Sequence, residues 1–349
     1  MSRYLPTGML DPSIGGGKGY VEYTYGPETT GLAVAAQRDG KAVVAGGSGP
    51  GFFTVGRYTP EGAPDSSFGQ EGRAKTHGGK YAYARGVAVT QKGRILVAGY
   101  AVDSFHHWKA TLLAYRSNGS LDERFGKSGI VDFTTNGRVM IRFAALTVLP
   151  DRHILALGDV AGRIFLVRLN QAGKPDPHFG KKGVIYYDVD GDPLCYCAEA
   201  TGLAVDRRGR LVASASATGS AVVMRLFANG RRDPSFGNHG VVRRTLGTGL
   251  GAEDVAVQRN GKIAVAGYYN VPGGEARVAA LRFLPDGRPD LQFGRRGVFT
   301  RDFGWEGVAN AALALRNGDL IIAGRTNRDR PETREIYDSA EPFLARFLP

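Results

Sequence analysis

The nine residues PDSSFGQEG (64–72) return five more times with small changes. The other copies are LDPSIGGGKG from Leu10, LDERFGKSG (121–129), PDPHFGKKG (175–183), RDPSFGNHG (232–240) and PDLQFGRRG (289–297). Their aspartates, Asp11, Asp65, Asp122, Asp176, Asp233 and Asp290, lie 54, 57, 54, 57 and 57 residues apart. A fixed period of that size marks a repeat architecture, in which each unit buries its apolar face only against its neighbours. At 349 residues the usual expectation is two or more domains. The six units tile the chain without a linker, so the spacing predicts one domain over 1–349, built of six repeats of about 54–57 residues.

Each repeat reads as short strands. GLAVAAQ-RDG-KAVVAGG (31–47), GVAVTQ-KG-RILVAGY (86–100) and DVAVQR-NG-KIAVAGY (254–268) flank a glycine-containing turn with alternating small apolar residues. Such turns supply the positive φ that a tight hairpin needs. Next comes a strand ending in arginine plus an aromatic or leucine, as in FFTVGRY (52–58), FLVRL (165–169) and VVMRLF (222–227). The Asp-x-x-Phe-Gly turn then leads to a fourth strand such as VVRRTL (241–246). Four antiparallel strands with small residues on the first two fit a propeller blade, whose inner strands crowd a central axis. The predicted fold is all-β, a six-bladed β-propeller of four-stranded antiparallel blades. The last unit stops at FLARFLP (343–349), after its third strand, and YVEYTY (20–25) is a strand candidate near the start. The N-terminal strand is therefore expected to complete the last blade and close the ring. Arg3-Tyr4-Leu5-Pro6 duplicates Arg346-Phe347-Leu348-Pro349, so residues 1–8 are expected outside that blade.

These motifs resemble the delta-60 repeat, a bacterial β-propeller family with a hairpin centred on Asp-Gly-Lys, an Arg-Tyr strand and a Leu-Asp-x-Ser-Phe-Gly turn. The resemblance covers nearly the whole chain and implies the fold; it carries no general reaction. Two places depart from it. Ile14 replaces phenylalanine in the first copy, and in the second complete unit the arginine moves from position 114 to Arg116. Elsewhere Asp65, Asp176, Asp233 and Asp290 each follow an arginine by eight residues (Arg57, Arg168, Arg225, Arg282), which predicts a structural bridge inside each blade. Residues repeated in every unit are scaffold.

Strand order sorts the loops onto two faces. One carries uniform turns; the other carries loops that vary from unit to unit, where binding residues usually sit. The candidate ligand-binding residues on the variable face are Tyr81, Tyr83, His106, His107, Trp108, Trp305, Glu306, Arg328 and Arg330. Asp188, Asp190 and Asp192 precede Cys195 and Cys197, but the spacing lacks the distal glutamate of a calcium loop, and two thiols fall short of a zinc set. No cofactor and no metal ligand is assigned, with calcium kept as an alternative. No nucleophile or phosphate-loop motif is present, so no catalytic residue is assigned.

The expected function is a non-catalytic binding or interaction scaffold that offers the variable face to a protein or glycan. The alternative is a propeller hydrolase or lactonase with a metal or histidine site at the channel mouth. A weaker one is polyanion binding by the uniform turns, since 45 Lys+Arg against 33 Asp+Glu give a formal charge of +12. No apolar run is long enough for membrane insertion. The start, MSRYLPTGMLDPS, lacks the basic and apolar parts of a secretory signal, which leaves the cytoplasm or a processed exported form. A monomer is expected.

Overall fold

The computed structural model describes residues 1–23, 29–135, 137–189, 198–303, 306–327 and 340–348. Among these, regular structure is β apart from one 3-10 turn at Gly15–Gly17. The chain packs as two compact units, Met1–Ala161 with Phe165–Val184, and Gly162–Ile164 with Ile185–Pro349.

The fold is a six-bladed propeller of mostly four-stranded antiparallel blades. Blade 1 holds β1 (Thr30–Ala36), β2 (Ala42–Ser48), β3 (Phe52–Tyr58) and β4 (Arg73–His77). Blade 2 holds β5 (Tyr81–Val89), β6 (Ile95–Val102), β7 (Trp108–Tyr115) and β8 (Ile130–Thr134). Blade 3 holds β9 (Ile141–Val148), β10 (Ile154–Val160), β11 (Arg163–Leu169) and β12 (Val184–Tyr187). Blade 4 holds β13 (Ala198–Val205), β14 (Leu211–Ala217), β15 (Ser220–Leu226) and β16 (Val241–Arg244). Blade 5 holds β17 (Gly249–Val257), β18 (Ile263–Asn270), β19 (Ala276–Phe283) and β20 (Val298–Arg301). Blade 6 has three strands, β21 (Gly307–Ala314), β22 (Leu320–Asn327) and β23 (Ala340–Phe347). The N-terminal strand expected to join it is not among the described pairings. Tyr20 bridges Ser2 instead, and the Val21 amide donates to the Met1 carbonyl at 2.8 Å.

The second and third strands are buried on both faces, whereas burial alternates along much of β5. In β5, Ala82 and Ala84 enter the core shared with blade 1, where Val43, Phe53 and Val55 meet Ile95 and Val97. The repeated phenylalanines fill equivalent places: Phe68, Phe125, Phe179 and Phe236 are fully buried and Phe293 nearly so. Ile14 is also buried, so the aliphatic side chain takes the phenylalanine's place in the first copy. Burying a side chain of this size contributes about 1.5–3 kcal/mol.

The small residues of the second strand have a more specific cause than crowding at an axis. Each first strand carries a β-bulge at the same point, between Gly31 and Ala33, Ala84 and Gly86, Ala252 and Asp254, and Ala309 and Ala311 in blades 1, 2, 5 and 6. The bulge drives a carbonyl onto the second strand. A Cβ on Gly46, Gly99, Gly158, Gly267 or Gly324 would fall 1.7–2.1 Å from a first-strand carbonyl oxygen. Blade 4 has Ala215 at this position, and its bulge spans two residues, between Ala200 and Leu203. There Ser214 Oγ accepts the Gly202 amide at 2.9 Å and lies 2.9 Å from Thr201 Oγ1, which steadies the wider bulge.

The arginine–aspartate pairs form as the eight-residue spacing predicts. Nε–Oδ2 distances are 2.7 Å for Arg57–Asp65, 2.6 Å for Arg168–Asp176, 2.8 Å for Arg225–Asp233 and 2.6 Å for Arg282–Asp290. Each guanidinium also lies over its blade's phenylalanine, 4.6–4.7 Å from the ring centroid. The N-terminal Arg3 repeats the pair with Asp11 at 2.7 Å. These arginines also reach forward to the next repeat: Arg3 donates to the Pro60 carbonyl, Arg57 to that of Ser117 and Arg225 to that of Pro285. Blade 2 corrects the sequence reading. Arg116 stays 4.0 Å from Asp122, and the missing arginine is Arg94, from the hairpin, which bonds Asp122 and the Gln171 carbonyl.

The residue just before each second strand answers the same carboxylate. Lys41 lies 2.9 Å from Asp65, His153 3.7 Å from Asp176, Arg210 3.2 Å from Asp233 and Lys262 2.9 Å from Asp290. Blade 6 inverts the arrangement: this position is Asp319, and Arg346 Nε donates to it at 2.7 Å. Burial alone would raise these carboxyls. Hydrogen bonds from Lys41 and Ser67 at Asp65, and from Lys262 and Arg282 at Asp290, outweigh it and hold both below the usual carboxylate range. Their contribution is therefore present above the unfolded value of about 4 and is lost as pH falls through the folded one.

Removing one partner of a buried pair costs about 3–5 kcal/mol. Asp290→Asn should lower denaturant-measured stability on that scale, because Arg282 would stay buried without its carboxylate. Asp11→Asn, whose Arg3 is 38% exposed, should cost far less. Equal losses at the two sites would refute a structural role for burial of the pair.

Candidate functional site

Just past each bulge lies one cross-strand pair, the rung, whose chemistry differs from blade to blade. In the first unit the rungs are Thr30–Gly47, Tyr83–Tyr100 and Arg142–Asp159. In the second unit they are Glu199–Ser216, Gly251–Tyr268 and Val308–Arg325. On the hairpin side of the bulge the paired strands are mostly apolar, so these positions are where one scaffold begins to present different side chains.

The first unit builds the richest group. Tyr83 and Tyr100 have ring centroids 5.6 Å apart, and Tyr100 and Trp108 5.2 Å apart, giving an aromatic row across β5, β6 and β7. The row exists because Tyr81 and Tyr83 alternate with core-facing Ala82 and Ala84. Gly47 gives Tyr83 its place: a Cβ there would meet the ring at 2.9 Å. Arg85 is the residue set out by the β5 bulge and is exposed. On blade 3, Arg142 Nε donates to both carboxylate oxygens of buried Asp159 at 3.0 and 3.1 Å. Burial raises the Tyr100 phenol above its ordinary value, with Arg85 and Arg142 opposing. Partly exposed aromatic faces beside guanidinium groups can stack on a ring and donate hydrogen bonds to its edge.

The structure thus brings together Tyr83 and Trp108 of the predicted residues, with Tyr81 nearby on the same strand and 45% exposed. The histidines act as turn residues. Asp103 accepts the amides of Phe105 at 2.8 Å and His107 at 3.0 Å, and its other oxygen lies 3.1 Å from His107 Nδ1. His106 takes a left-handed φ of 64° at the tip of this turn, next to Phe105, which is 71% exposed. Glu306, in the second unit, is exposed just before β21. Trp305, Arg328 and Arg330 lie outside the described residues, as do Asp190, Asp192, Cys195 and Cys197. Among the described residues no three His, Cys, Asp or Glu side chains gather as a metal set. No helix among them is long and apolar enough to cross a membrane.

Sequence reasoning missed Tyr100, Arg85, Arg142 and Asp159. The available signal was the repeat itself: after the second-strand glycine or Ala215 the chain reads Gly47, Tyr100, Asp159, Ser216, Tyr268 and Arg325. Looking for variation only in loops passed over it.

Comparison with known proteins agrees with this architecture. Residues 149–179 and 258–293 match a family described as a domain of unknown function (DUF5122) beta-propeller. Two of its six repeats match DUF5122. Each match runs from the first hairpin turn through the second and third strands to the turn phenylalanine, Phe179 or Phe293, the same elements that carry the delta-60 resemblance. No curated protein matches the sequence. Among solved structures, a protein from Lactobacillus plantarum is similar in fold, with a TM-score of 0.51 and 9% identity over 92% of this chain and 86% of its own. The PQQ-bound aldose sugar dehydrogenase of Streptomyces coelicolor gives a TM-score of 0.49 at 14% identity, covering 90% of this chain and 93% of its own.

In the second unit, two adjacent acids of β17, Glu253 and Asp254, serve two purposes. Glu253 is the bulged residue, and with Glu199 it adds to the burial that raises the Tyr268 phenol. Asp254 joins blades: its carboxylate accepts the Val255 amide at 2.8 Å and the Ala312 amide of β21 at 3.0 Å. Burial pushes it up to about 6 despite both hydrogen bonds. The folded state then holds a proton between pH 4 and 6 that the unfolded chain releases, so this group's contribution to stability rises as pH falls through 6. Asp254→Asn should flatten the stability–pH curve between about pH 4 and 7 in urea titrations. An unchanged slope in that range would remove Asp254 as its source.

Proposed function

We propose that this chain is a non-catalytic binding module, and that it holds a glycan or an exposed protein segment on the row Tyr83–Tyr100–Trp108. The observation that supports this reading is the row itself, three partly exposed rings at 5.6 and 5.2 Å spacing on rigid strands. Aromatic faces stack on the apolar faces of sugar rings and on flat side chains, while nearby polar groups fix orientation. Arg85 supplies exposed donors beside the row, and Arg142, held through its Nε by buried Asp159, adds positive charge near Tyr100. Between the two partner classes the glycan is favoured, because a ring platform flanked by guanidinium donors suits polyhydroxylated ligands. Phe105 and Tyr81 would extend the contact at the loop end.

The test is capture on a glycan array, followed by titration of the best glycan against Tyr100→Ala and Trp108→Ala. Each variant should bind at least about tenfold more weakly, on the scale of a lost stacking contact. Unchanged capture by both would sink the reading, and a protein partner lost with these variants would move it to the protein class.

The proposal extends to ring closure. β23 has no described neighbour on its outer side, and Leu32 and Val34 of β1 are 43% and 66% exposed although the matching Val255 of blade 5 is buried. Residues 20–23 bond residues 1–2 on one edge. Their other edge would pair with β23, which keeps residues 1–8 outside the blade. Deleting residues 1–23 should then speed amide hydrogen exchange along β23, and unaltered exchange there would rule this closure out.

A further inference from the structure

We propose a second binding site, for an oxyanion, in the cleft between the first hairpin turns of blades 4 and 5. The ligand class is a phosphate or sulfate group carried on a compact polar molecule. This site lies wholly in the second unit and is independent of the aromatic row.

The cleft has a volume of about 480 Å³ and is lined by five arginines: Arg207, Arg208, Arg210, Arg225 and Arg259. Two aspartates in the lining oppose them, and both are engaged. Asp206 accepts Arg210 Nε at 2.7 Å and the amides of Arg208 and Arg210 at 2.8 and 2.9 Å. Asp286 accepts Arg288 Nε at 2.7 Å and the Arg288 amide at 3.0 Å. The buried Asp233 beneath is held by Arg225, Arg210 and Ser235. Positive charge is therefore left over at the mouth, where Arg207, Arg208 and Arg259 are exposed. The field reaches the wall: Arg225 is lowered from its ordinary value by burial and then by Arg210.

The repeats provide an internal control. Arg225 recurs as part of the arginine–aspartate scaffold, and Arg210 has basic counterparts in the other complete blades. The turn pair does not recur. Equivalent positions read Arg38-Asp39, Gln91-Lys92, Pro150-Asp151, Arg259-Asn260 and Arg316-Asn317, and only blade 4 places two bases together. Arg259 adds a third from the adjoining turn, fixed through its own Nη1 to the Arg316 carbonyl at 2.9 Å. Converging guanidinium forks suit the planar acceptor pairs of an oxyanion. The lining holds no aromatic side chain, so single-stranded nucleic acid would find no stacking platform. The concave shape favours a compact ligand over a duplex lying across a flat surface.

The experiment is calorimetric titration of the full chain at low ionic strength with inorganic phosphate, pyrophosphate and sulfate, and in parallel with a twelve-residue oligothymidylate. Pyrophosphate should bind, weaken with added salt, and lose at least about tenfold in affinity in Arg207→Ala/Arg208→Ala. Both side chains are exposed turn residues, and an unchanged melting curve would verify the fold of the variant. Arg38→Ala, the turn equivalent in blade 1, should bind as the parent chain does. Preference between phosphate and sulfate identifies the source of the group. No binding, or equal binding by the double variant, would overturn the site. Oligothymidylate binding tighter than pyrophosphate would overturn the compact-ligand class.

Discussion

An arginine stacked over a phenylalanine and bonded to an aspartate eight residues on is the constraint from which the rest of this fold follows. The carboxylate fixes the turn that starts the fourth strand. The guanidinium closes over the aromatic plug and, where Arg3, Arg57 and Arg225 show it, reaches the backbone of the next repeat. One side chain thus ties local turn geometry to the stacking of neighbouring blades. A repeat architecture needs such a tie, because no single unit buries enough apolar surface to stand alone. The pairs remain ionised despite burial because hydrogen bonds outweigh desolvation, so the junctions are electrostatic as well as apolar.

A second constraint shapes the binding surface. The first-strand bulge brings a carbonyl to within about 2 Å of where a second-strand Cβ would stand, which forces glycine at that point in five blades. Beyond the bulge the strands resume regular pairing, and the next rung is free of that steric demand. Those rungs carry the tyrosines, the Arg142–Asp159 pair and Glu199, whereas the strands on the hairpin side of the bulge carry mostly apolar residues. Uniformity and variety are therefore one residue apart on the same strand.

The fold was legible because its signals repeat. Period, hairpin turns and the eight-residue arginine spacing are all local, and each was present several times. Blade 2 shows the limit: the lost Arg at 114 was sought nearby, at Arg116, whereas Arg94 reaches Asp122 from another strand, a contact no linear spacing reveals. The aromatic row was half legible. Tyr83 and Trp108 stood out as unusual residues, but Tyr100 follows a glycine in a strand that reads as core, and only pairing in space joins the three. The histidine loop was legible only as an unusual cluster, because its turn is organised by Asp103, whose bonds to the Phe105 and His107 amides appear only in space.

The relocation of the blade 2 arginine bears on how such proteins diversify. Arg94 in the hairpin and Ala114 in the third strand are a matched set, as are Lys41 with Arg57, and Asp319 with Arg346. A genetic crossover falling between hairpin and third strand would mix these sets. Joining the hairpin of blade 6 to the third strand and turn of blade 2 would set Asp319 beside Asp122 with only the loosely placed Arg116 nearby, whereas a cut in the loops between blades leaves each set whole. The unit of inheritance in this architecture is then the entire blade, and recombination confined to its borders can shuffle rungs and loops while every charge arrives with its partner.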